Sequence, residues 1–475
     1  MKEAEGSGAG LPSGRTLYGY GLGSVALGVA TQALSTSIIS QFLFLVVGMP
    51  ALLVGAAIVI SQVVDAVLDP LLGLWSDRVR GPWGRRHPFM YASAIPCAIA
   101  FYALWNPPAA LGGTWLFAYM LMLLVVARLF TSMYEISSSA LAPELSTGYH
   151  QRTRVFAVRT YFETIASGLM MLLLNVVFLR HDAAHRLGVL NRAGYAQWGA
   201  IAAVTILVSI LWSSWSTHRL VPTLAVPPRR PTGLAPILGE VAGTLRNPSF
   251  LALMISGLVS SIATGIGATF YPYLTLYFWG LSPQVAGLML LANVPALYIG
   301  ATQARPLSTR VGKKPALIGL AAASAIVSLT PIALRLIGAM PPNGSPLLVP
   351  ILVADSFLFV ITSTMVNVIL ASMFADLADD NTVRTGVRGE GLLFALKGLI
   401  PKISTGVGAF AGSALIAMVG FPAGAQQGTV HESVLRALGL AYLPVVIVLN
   451  AVALAIIGVY RIDRATHEAN LISLT

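Results

Sequence analysis

Asp65 and Asp69 stand four residues apart inside an otherwise apolar stretch from Pro50 to Asp77, a spacing that puts both carboxylates on one face of a helix. In a bilayer-spanning helix each ionised acid costs about 3 kcal/mol even on the lenient insertion scale, so such acids face a cavity or a partner. Two carboxylates one turn apart cannot cheaply both stay ionised in a low dielectric without a cation. The pair therefore reads as a coupling-cation site, for a proton or for Na⁺ held by Asp65 and Asp69. A structural ion pair and permanently protonated acids are the alternatives.

Further charges lie in other apolar runs. Arg128, Ser132 and Glu135 fall at i, i+4 and i+7 on one helical face. Ser132 can offer a neutral oxygen to a hard cation, and Arg128 can neutralise Glu135 or an aspartate of the Asp65 helix, or form a purely structural lock. Arg159 and Glu163 repeat the i, i+4 spacing, with Arg159 close enough to the inner interface to snorkel and Glu163 deeper, expected to pair with Arg128 or Arg159. Lys397 and Lys402 need an acid or an anionic ligand nearby, and Lys402 is the deeper of the two. Tyr271, Tyr273, Tyr277 and Trp279 read as an interfacial aromatic belt, with stacking on a solute as the alternative.

The elements that position these residues are long apolar runs. The chain has 475 residues, 56% of them hydrophobic and 10% charged, with a mean hydropathy of +0.78, and apolar stretches of spanning length recur throughout. Roughly twelve runs emerge by length and composition, six before and six after the longest polar connection, Thr217 to Pro248, whose prolines exclude one regular helix. The expected organisation is an N-terminal tail (1–16), a first six-helix bundle (17–216), a linker (217–248), a second six-helix bundle (249–460) and a C-terminal tail (461–475). The Gly/Ser-rich start reads as a short cytoplasmic tail, not a signal peptide.

Net charge is +11, from 29 Lys+Arg against 18 Asp+Glu. The basic residues cluster in short connections on one side: Arg78, Arg80, Arg85 and Arg86, then Arg152 and Arg154, then Arg305, Arg310, Lys313 and Lys314. This pattern is the topology signal of a membrane protein with both termini in the cytoplasm, and it replaces nucleic-acid binding as the explanation of the charge. Arg180, Arg186 and Arg192, in a connection assigned outside, are an exception. The single cysteine, Cys97, excludes an internal disulfide and reads as a packed small residue. No H-E-x-x-H, G-x-S-x-G or paired Cys/His cluster occurs, and the seven histidines fall in loops or the tail, which argues against an intramembrane enzyme.

Two connections carry the same order of residues. Ser76-Asp77-Arg78 is followed by Gly84-Arg85-Arg86, and Ser308-Thr309-Arg310 is followed by Gly312-Lys313-Lys314. This signature resembles the major facilitator superfamily, which implies two pseudo-symmetric halves with a solute site between them near mid-membrane, and gating roles for Asp77, Arg78, Arg85, Arg310 and Lys313. The Asp65-Ala-Val-Leu-Asp69-Pro70 segment, Arg159 with Phe162, the Met373-Phe-Ala-Asp376-Leu-Ala-Asp379 ending, Gly386-Val-Arg388-Gly-Glu390-Gly391, and Lys402 together resemble the glycoside-pentoside-hexuronide:cation symporters. Their relatives include sodium-dependent lysophospholipid transporters. The resemblance implies that Asp65, Asp69 and Ser132 hold the cation, that Glu135 binds solute hydroxyls, and that Lys402 stands near the site.

The chain departs from that pattern where the melibiose-type members recognise sugar. An amide-bearing position between the aspartates is Leu68, a helix 1 acid is Gly28, a helix 4 tryptophan is Ser139 and a helix 10 tryptophan is Asn367, while Arg128 adds a charge. These changes imply a different, larger or anionic solute. The expectation is an all-α polytopic membrane protein of twelve transmembrane helices in two pseudo-symmetric six-helix bundles. It is expected to be a transporter, not an enzyme, performing H⁺- or Na⁺-coupled symport of a sugar, glycoside or uronide by alternating access. Arg128, Glu135, Arg159, Glu163, Asn367 and Lys402 are the candidate solute contacts. A lysophospholipid or other amphiphile carrier and a proton-coupled exporter are the alternatives. Expected partners are a small-molecule solute, the coupling cation and the cell-membrane bilayer, with no cofactor, no nucleic acid and a monomeric state.

Overall fold

A chain crossing lipid must satisfy its backbone polar groups within each segment, and helices do so. In the computed structural model the regular elements are helical throughout the described residues, 14–145, 149–180, 188–223, 248–385 and 390–460. Among the described residues eleven helices are long and apolar enough to cross a membrane, twelve if Gly14–Ala33 and Thr36–Val46, bent by 45°, count as one span. The expected C-terminal tail, most of the N-terminal tail and most of the linker lie outside the described residues. The first helix begins at Gly14, three residues before the expected boundary.

The chain divides into two compact units, Met1–Met49 with Ile60–Arg229, and Pro50–Val59 with Arg230–Thr475. The helices of the N-terminal half are α1 (Gly14–Ala33), α2 (Thr36–Gln41), α3 (Ala51–Arg78), α4 (His87–Trp105), α5 (Gly113–Leu141), α6 (Tyr149–Leu172) and α7 (Arg192–His218). Those of the C-terminal half are α8 (Pro248–Tyr273), α9 (Pro283–Ala292), α10 (Val294–Val311), α11 (Lys313–Leu336), α12 (Leu348–Thr385), α13 (Glu390–Val419) and α14 (Glu432–Ile457).

In the first unit α1 packs on α6 and α7, and α4 packs on α5 and α7. One end is held by aromatic side chains: Phe42 lies 4.8 Å from Trp105 and 5.0 Å from Tyr195, and Trp105 meets Trp198 edge-on at 5.0 Å. Cys97 is buried here as a packed residue. In the second unit α8 packs on α13 and α14, and α12 on α10 and α11. Its core gathers Phe250, Leu253, Leu317, Ile369 and Met373.

The internal repeat extends from the loop signature into helix packing. At Gly28 an added Cβ would run into the Glu163 carbonyl oxygen and come within 2.9 Å of the Ser167 amide nitrogen. At Gly265 it would run into the Thr405 carbonyl oxygen and come within 2.9 Å of the Ala409 nitrogen. The first helix of each unit thus rests, through a glycine, on the same pair of backbone atoms one turn apart. Both first helices also end alike, in wide turns at Phe42–Val46 and Leu274–Phe278. Val47 donates to the Phe42 carbonyl and Met49 to that of Leu43, both at 2.9 Å; Trp279 donates to Leu274 at 2.8 Å and Leu281 to Thr275 at 3.0 Å. Each turn is followed by a glycine in the left-handed region, Gly48 at φ 78° and Gly280 at φ 64°, where a side chain would be strained.

Gly28 therefore sits in a packing seam with no room for a carboxylate, which accounts for the missing helix 1 acid in steric terms. Tyr273, Tyr277 and Trp279 are 1%, 3% and 7% exposed, so the belt reading is corrected for these three: they pack inward, and only Tyr271 is exposed. The reason is local, since the Tyr277 hydroxyl donates to the Ala425 carbonyl at 2.6 Å and the Arg335 guanidinium covers Trp279 at 5.4 Å. We expect Gly28→Val and Gly265→Val each to destabilise the purified protein by about 1–3 kcal/mol, the usual cost of overpacking. Gly168→Ala and Gly257→Ala, whose added carbons meet no atom within 4 Å, should leave the melting temperature unchanged. Equal melting curves for all four variants would contradict the shared seam.

Candidate functional site

The site is built on α3 and α5, which face each other in two polar rungs one turn apart. In the first, Arg128 Nε donates to Ser61 Oγ at 3.3 Å. In the second, Ser132 Oγ donates to Asp65 Oδ1 at 2.7 Å. Ser61 to Asp65 and Arg128 to Ser132 are both i, i+4 steps, so the rungs stack along one helix–helix contact. Arg128 also donates through Nη2 to the Leu34 carbonyl at 3.2 Å, where α1 breaks before α2 and leaves a carbonyl to be satisfied. Its charge acts directly on Asp65.

Asp65 is 5% exposed and Asp69 is half-buried. Pro70 lies inside α3. Having no N–H, it cannot close the helical bond onto the Ala66 carbonyl, which leaves a further oxygen beside the two acids. Gln62, also buried, has no hydrogen-bond partner for its Oε1 among the described residues. This arrangement can hold a small cation or a proton between carboxylates: carboxylate, hydroxyl and carbonyl oxygens are the ligands a hard cation takes.

Arg128 bonds to Ser61 and Leu34, one turn from the Ser132–Asp65 contact, while the Glu135 side chain is exposed one turn beyond Ser132. Arg159 does not snorkel. It is 7% exposed, donates to the Tyr20 hydroxyl at 2.9 Å and lies 5.6 Å over that ring. Tyr20 in turn donates to the Ser138 carbonyl at 2.6 Å, so one buried chain ties α6 to α1 and α5. Glu163 stands one turn along α6 from Arg159 and is half-buried. Asn367 in α12 donates to its own helix at Ser363, 3.0 Å, and Lys402 in α13 is half-buried; both belong to the second unit.

The connection residues form matching ion pairs. Arg85 Nη2 lies 2.8 Å from Glu144 Oε1 at the end of α5, and Lys313 Nζ lies 2.6 Å from Asp376 Oδ2 near the end of α12. Arg86 reinforces the first, donating to Ser76 Oγ at 2.6 Å. Arg78 and Arg310 are exposed, and the side chains of Asp77, Arg152, Asp379, Asp380, Glu390 and Lys397 lie outside the described residues, as do Arg186 and Arg388. Sequence reasoning missed Glu144, Gln62, Ser61 and Tyr20. Glu144 had a signal, being the acid just beyond α5, as Asp376 is the acid in the later part of α12.

The histidine reading also changes in detail. His87 opens α4, is 1% exposed and meets Thr217 Oγ1 at 3.0 Å, and its ring lies 5.3 Å from that of His218 at the end of α7. Among the described residues no group of three or more His, Cys, Asp or Glu is arranged to hold a metal ion.

Each of the two helical units carries the same helix 1 turn and a connection salt bridge, and the first has acids inside a spanning helix. Residues 19–464 match the MFS/sugar transport protein family, and the chain belongs to it. It is 28% identical over 270 residues to an uncharacterized symporter of Synechocystis, a match covering 55% of this chain and 46% of that one, so the aligned part is less than half of that relative's length. It is 25% identical over 466 residues to the putative glycoside/cation symporter YagG of Escherichia coli, covering 95% and 92% of the two chains. Its fold is similar to that of the nucleoside transporter NupG (D323A mutant), with a TM-score of 0.65 at 13% identity over 93% of this chain and 99% of that one. The protein is a multi-pass membrane transporter of a small molecule, not an enzyme.

The Arg85–Glu144 and Lys313–Asp376 pairs are expected to behave as equivalent locks. A double-mutant cycle on Arg85→Ala and Glu144→Ala should show a coupling of about 1 kcal/mol or somewhat more, because the partners are only 13% and 17% exposed. Additive losses in melting temperature would show that the contact contributes nothing.

Proposed function

We propose that the protein is a cation-coupled symporter of a sugar, glycoside or uronide-type solute, working by alternating access of its two units, with both termini in the cytoplasm. The observation that carries this reading is the Asp65 carboxylate, buried in a spanning helix, held by the Ser132 hydroxyl and followed one turn later by Asp69. Acids inside a spanning helix are costly, and a bound cation offsets that cost. The glycoside/cation name of YagG supports the solute class.

Coupling follows from a shift of populations. Cation occupancy removes the repulsion between the two carboxylates and completes the solute site, and only the empty or the fully loaded carrier closes easily. Arg159, bonded to Tyr20, and Glu163 are candidate solute contacts in the first unit, and Lys402 and Asn367 those in the second. A lysolipid cargo is the second reading, favoured by the loss of aromatic platforms at Ser139 and Asn367.

The test is uptake of glycosides, uronides and lysolipids into proteoliposomes with pH and Na⁺ gradients imposed separately. A sugar-type solute accumulated under either gradient supports the proposal, and movement of lysolipids alone replaces its solute. We expect Asp69→Asn to lose accumulation against a gradient while keeping solute exchange. Unchanged uphill uptake by that variant would remove Asp69 from the coupling site.

A further inference from the structure

The cation site contains a cation of its own. Arg128 stands on the α5 turn next to Ser132, bonded to Ser61 at 3.3 Å and to the Leu34 carbonyl at 3.2 Å, one turn from the Ser132–Asp65 contact. We propose that the Arg128 guanidinium takes the place of an alkali cation at Asp65, so that this transporter neither requires nor binds Na⁺ or Li⁺. The inference rests on reading Asp65 and Asp69 as the coupling site.

Three observations carry it. First, the position is built: the guanidinium is anchored through two nitrogens to two separate segments, the Ser61 hydroxyl on α3 and the Leu34 carbonyl in the break between α1 and α2. Second, arginine stays protonated under all working conditions, so this positive charge is permanent, unlike one supplied by lysine or histidine. Third, the neighbouring acid is already engaged: Ser132 spends its proton on Asp65 Oδ1 at 2.7 Å, and Leu68 supplies no amide oxygen between the two aspartates.

Electrostatics decides the outcome. Two like unit charges about 4 Å apart at an effective dielectric near 20 repel by an amount equal to roughly a thousandfold in affinity. A Na⁺ ion approaching Asp65 meets that repulsion, with no salt screening inside the membrane to reduce it. A proton differs, because it binds covalently to a carboxylate oxygen and needs no shell of five or six ligands. Removing the guanidinium would leave a vacant position beside the Ser61 hydroxyl and the Leu34 carbonyl, one turn from the Ser132–Asp65 contact, oxygens of the kind Na⁺ takes.

The experiment measures thermal stability of the purified full chain in detergent while NaCl or LiCl replaces choline chloride at constant ionic strength. The wild type is expected to show no Na⁺- or Li⁺-specific change. Arg128→Ala and the longer Arg128→Gln should each gain a saturable rise in melting temperature with Na⁺, since a ligand that binds only the folded state stabilises it. Asp65→Asn placed on Arg128→Ala should abolish the gain. A saturable Na⁺ response in the wild type overturns the inference and leaves the cation-coupled reading standing, with Na⁺ as its ion. Absence of a Na⁺ response in both folded Arg128 variants also overturns it. If in addition no pH gradient drives uptake into proteoliposomes, the coupling site itself is wrong. Should Arg128→Ala fail to fold, Arg128→Gln, which keeps an amide donor for Ser61, carries the comparison.

Discussion

A carboxylate that must live in the middle of a membrane-spanning helix constrains everything around it. Asp65 is buried, and water cannot solvate it at that depth, so its neighbours supply the solvation: a hydroxyl from Ser132 and the positive charge of Arg128. Those groups come from α5, so the contact between α3 and α5 is fixed in register by two rungs one turn apart. Arg128 then reaches the break between α1 and α2, where the Leu34 carbonyl accepts from it. One costly charge thereby sets the relation of three helices. The hydrophobic packing elsewhere in the unit fits around that relation.

The two units solve the rest of the problem with the same devices. Apolar attraction between helices is weak in lipid, so close backbone approach and interhelical polar contacts must hold the bundle. Gly28 and Gly265 provide the close approach, each seated on a carbonyl and an amide one turn apart on the opposing helix. Arg85 with Glu144 and Lys313 with Asp376 provide polar contacts at the connections. The two pairs use different residues, yet each joins the base of a connection to the acid at the end of a later helix. Duplication with divergence explains this better than coincidence, because the wide turns before Gly48 and Gly280 repeat as well, down to the same two backbone bonds.

Much of this was legible in the sequence. Spanning length and apolar composition are local properties, so the twelve crossings could be counted, and the acids in the second crossing stood out because their surroundings are so uniform. The i, i+4 spacings of Asp65 with Asp69 and of Arg128 with Ser132 placed those residues on shared faces, and the faces do meet. What could not be read was which groups pair across helices. Arg128 had two acids within plausible reach, and only the register of α5 on α3 sets it on Ser61, one turn from the Ser132–Asp65 contact. Arg159 looked interfacial because depth was judged from the ends of an apolar run, whereas its burial is set by Tyr20 on α1. Gly28 read as a lost acid, although its role is to let two backbones touch.

The contrast between the half-buried Arg128 and the buried Arg159 shows how one residue type can serve two ends. Arg159 reaches a phenol whose own proton goes to a carbonyl, a chain that leaves the positive charge only partly neutralised and therefore open to Glu163 or to a solute. Arg128 instead satisfies neutral acceptors and directs its charge at a single carboxylate. A guanidinium can do either because its five donors are spread around a plane, so hydrogen bonding and charge pairing need not point at the same partner. The membrane makes the distinction matter. With little screening, an arginine that spends its charge on Asp65 alters what ion that acid accepts, while one that keeps its charge in reserve has attraction left for an anionic group. The position of each arginine on its helix, one turn from a hydroxyl or one turn from an acid, determines which of these it does.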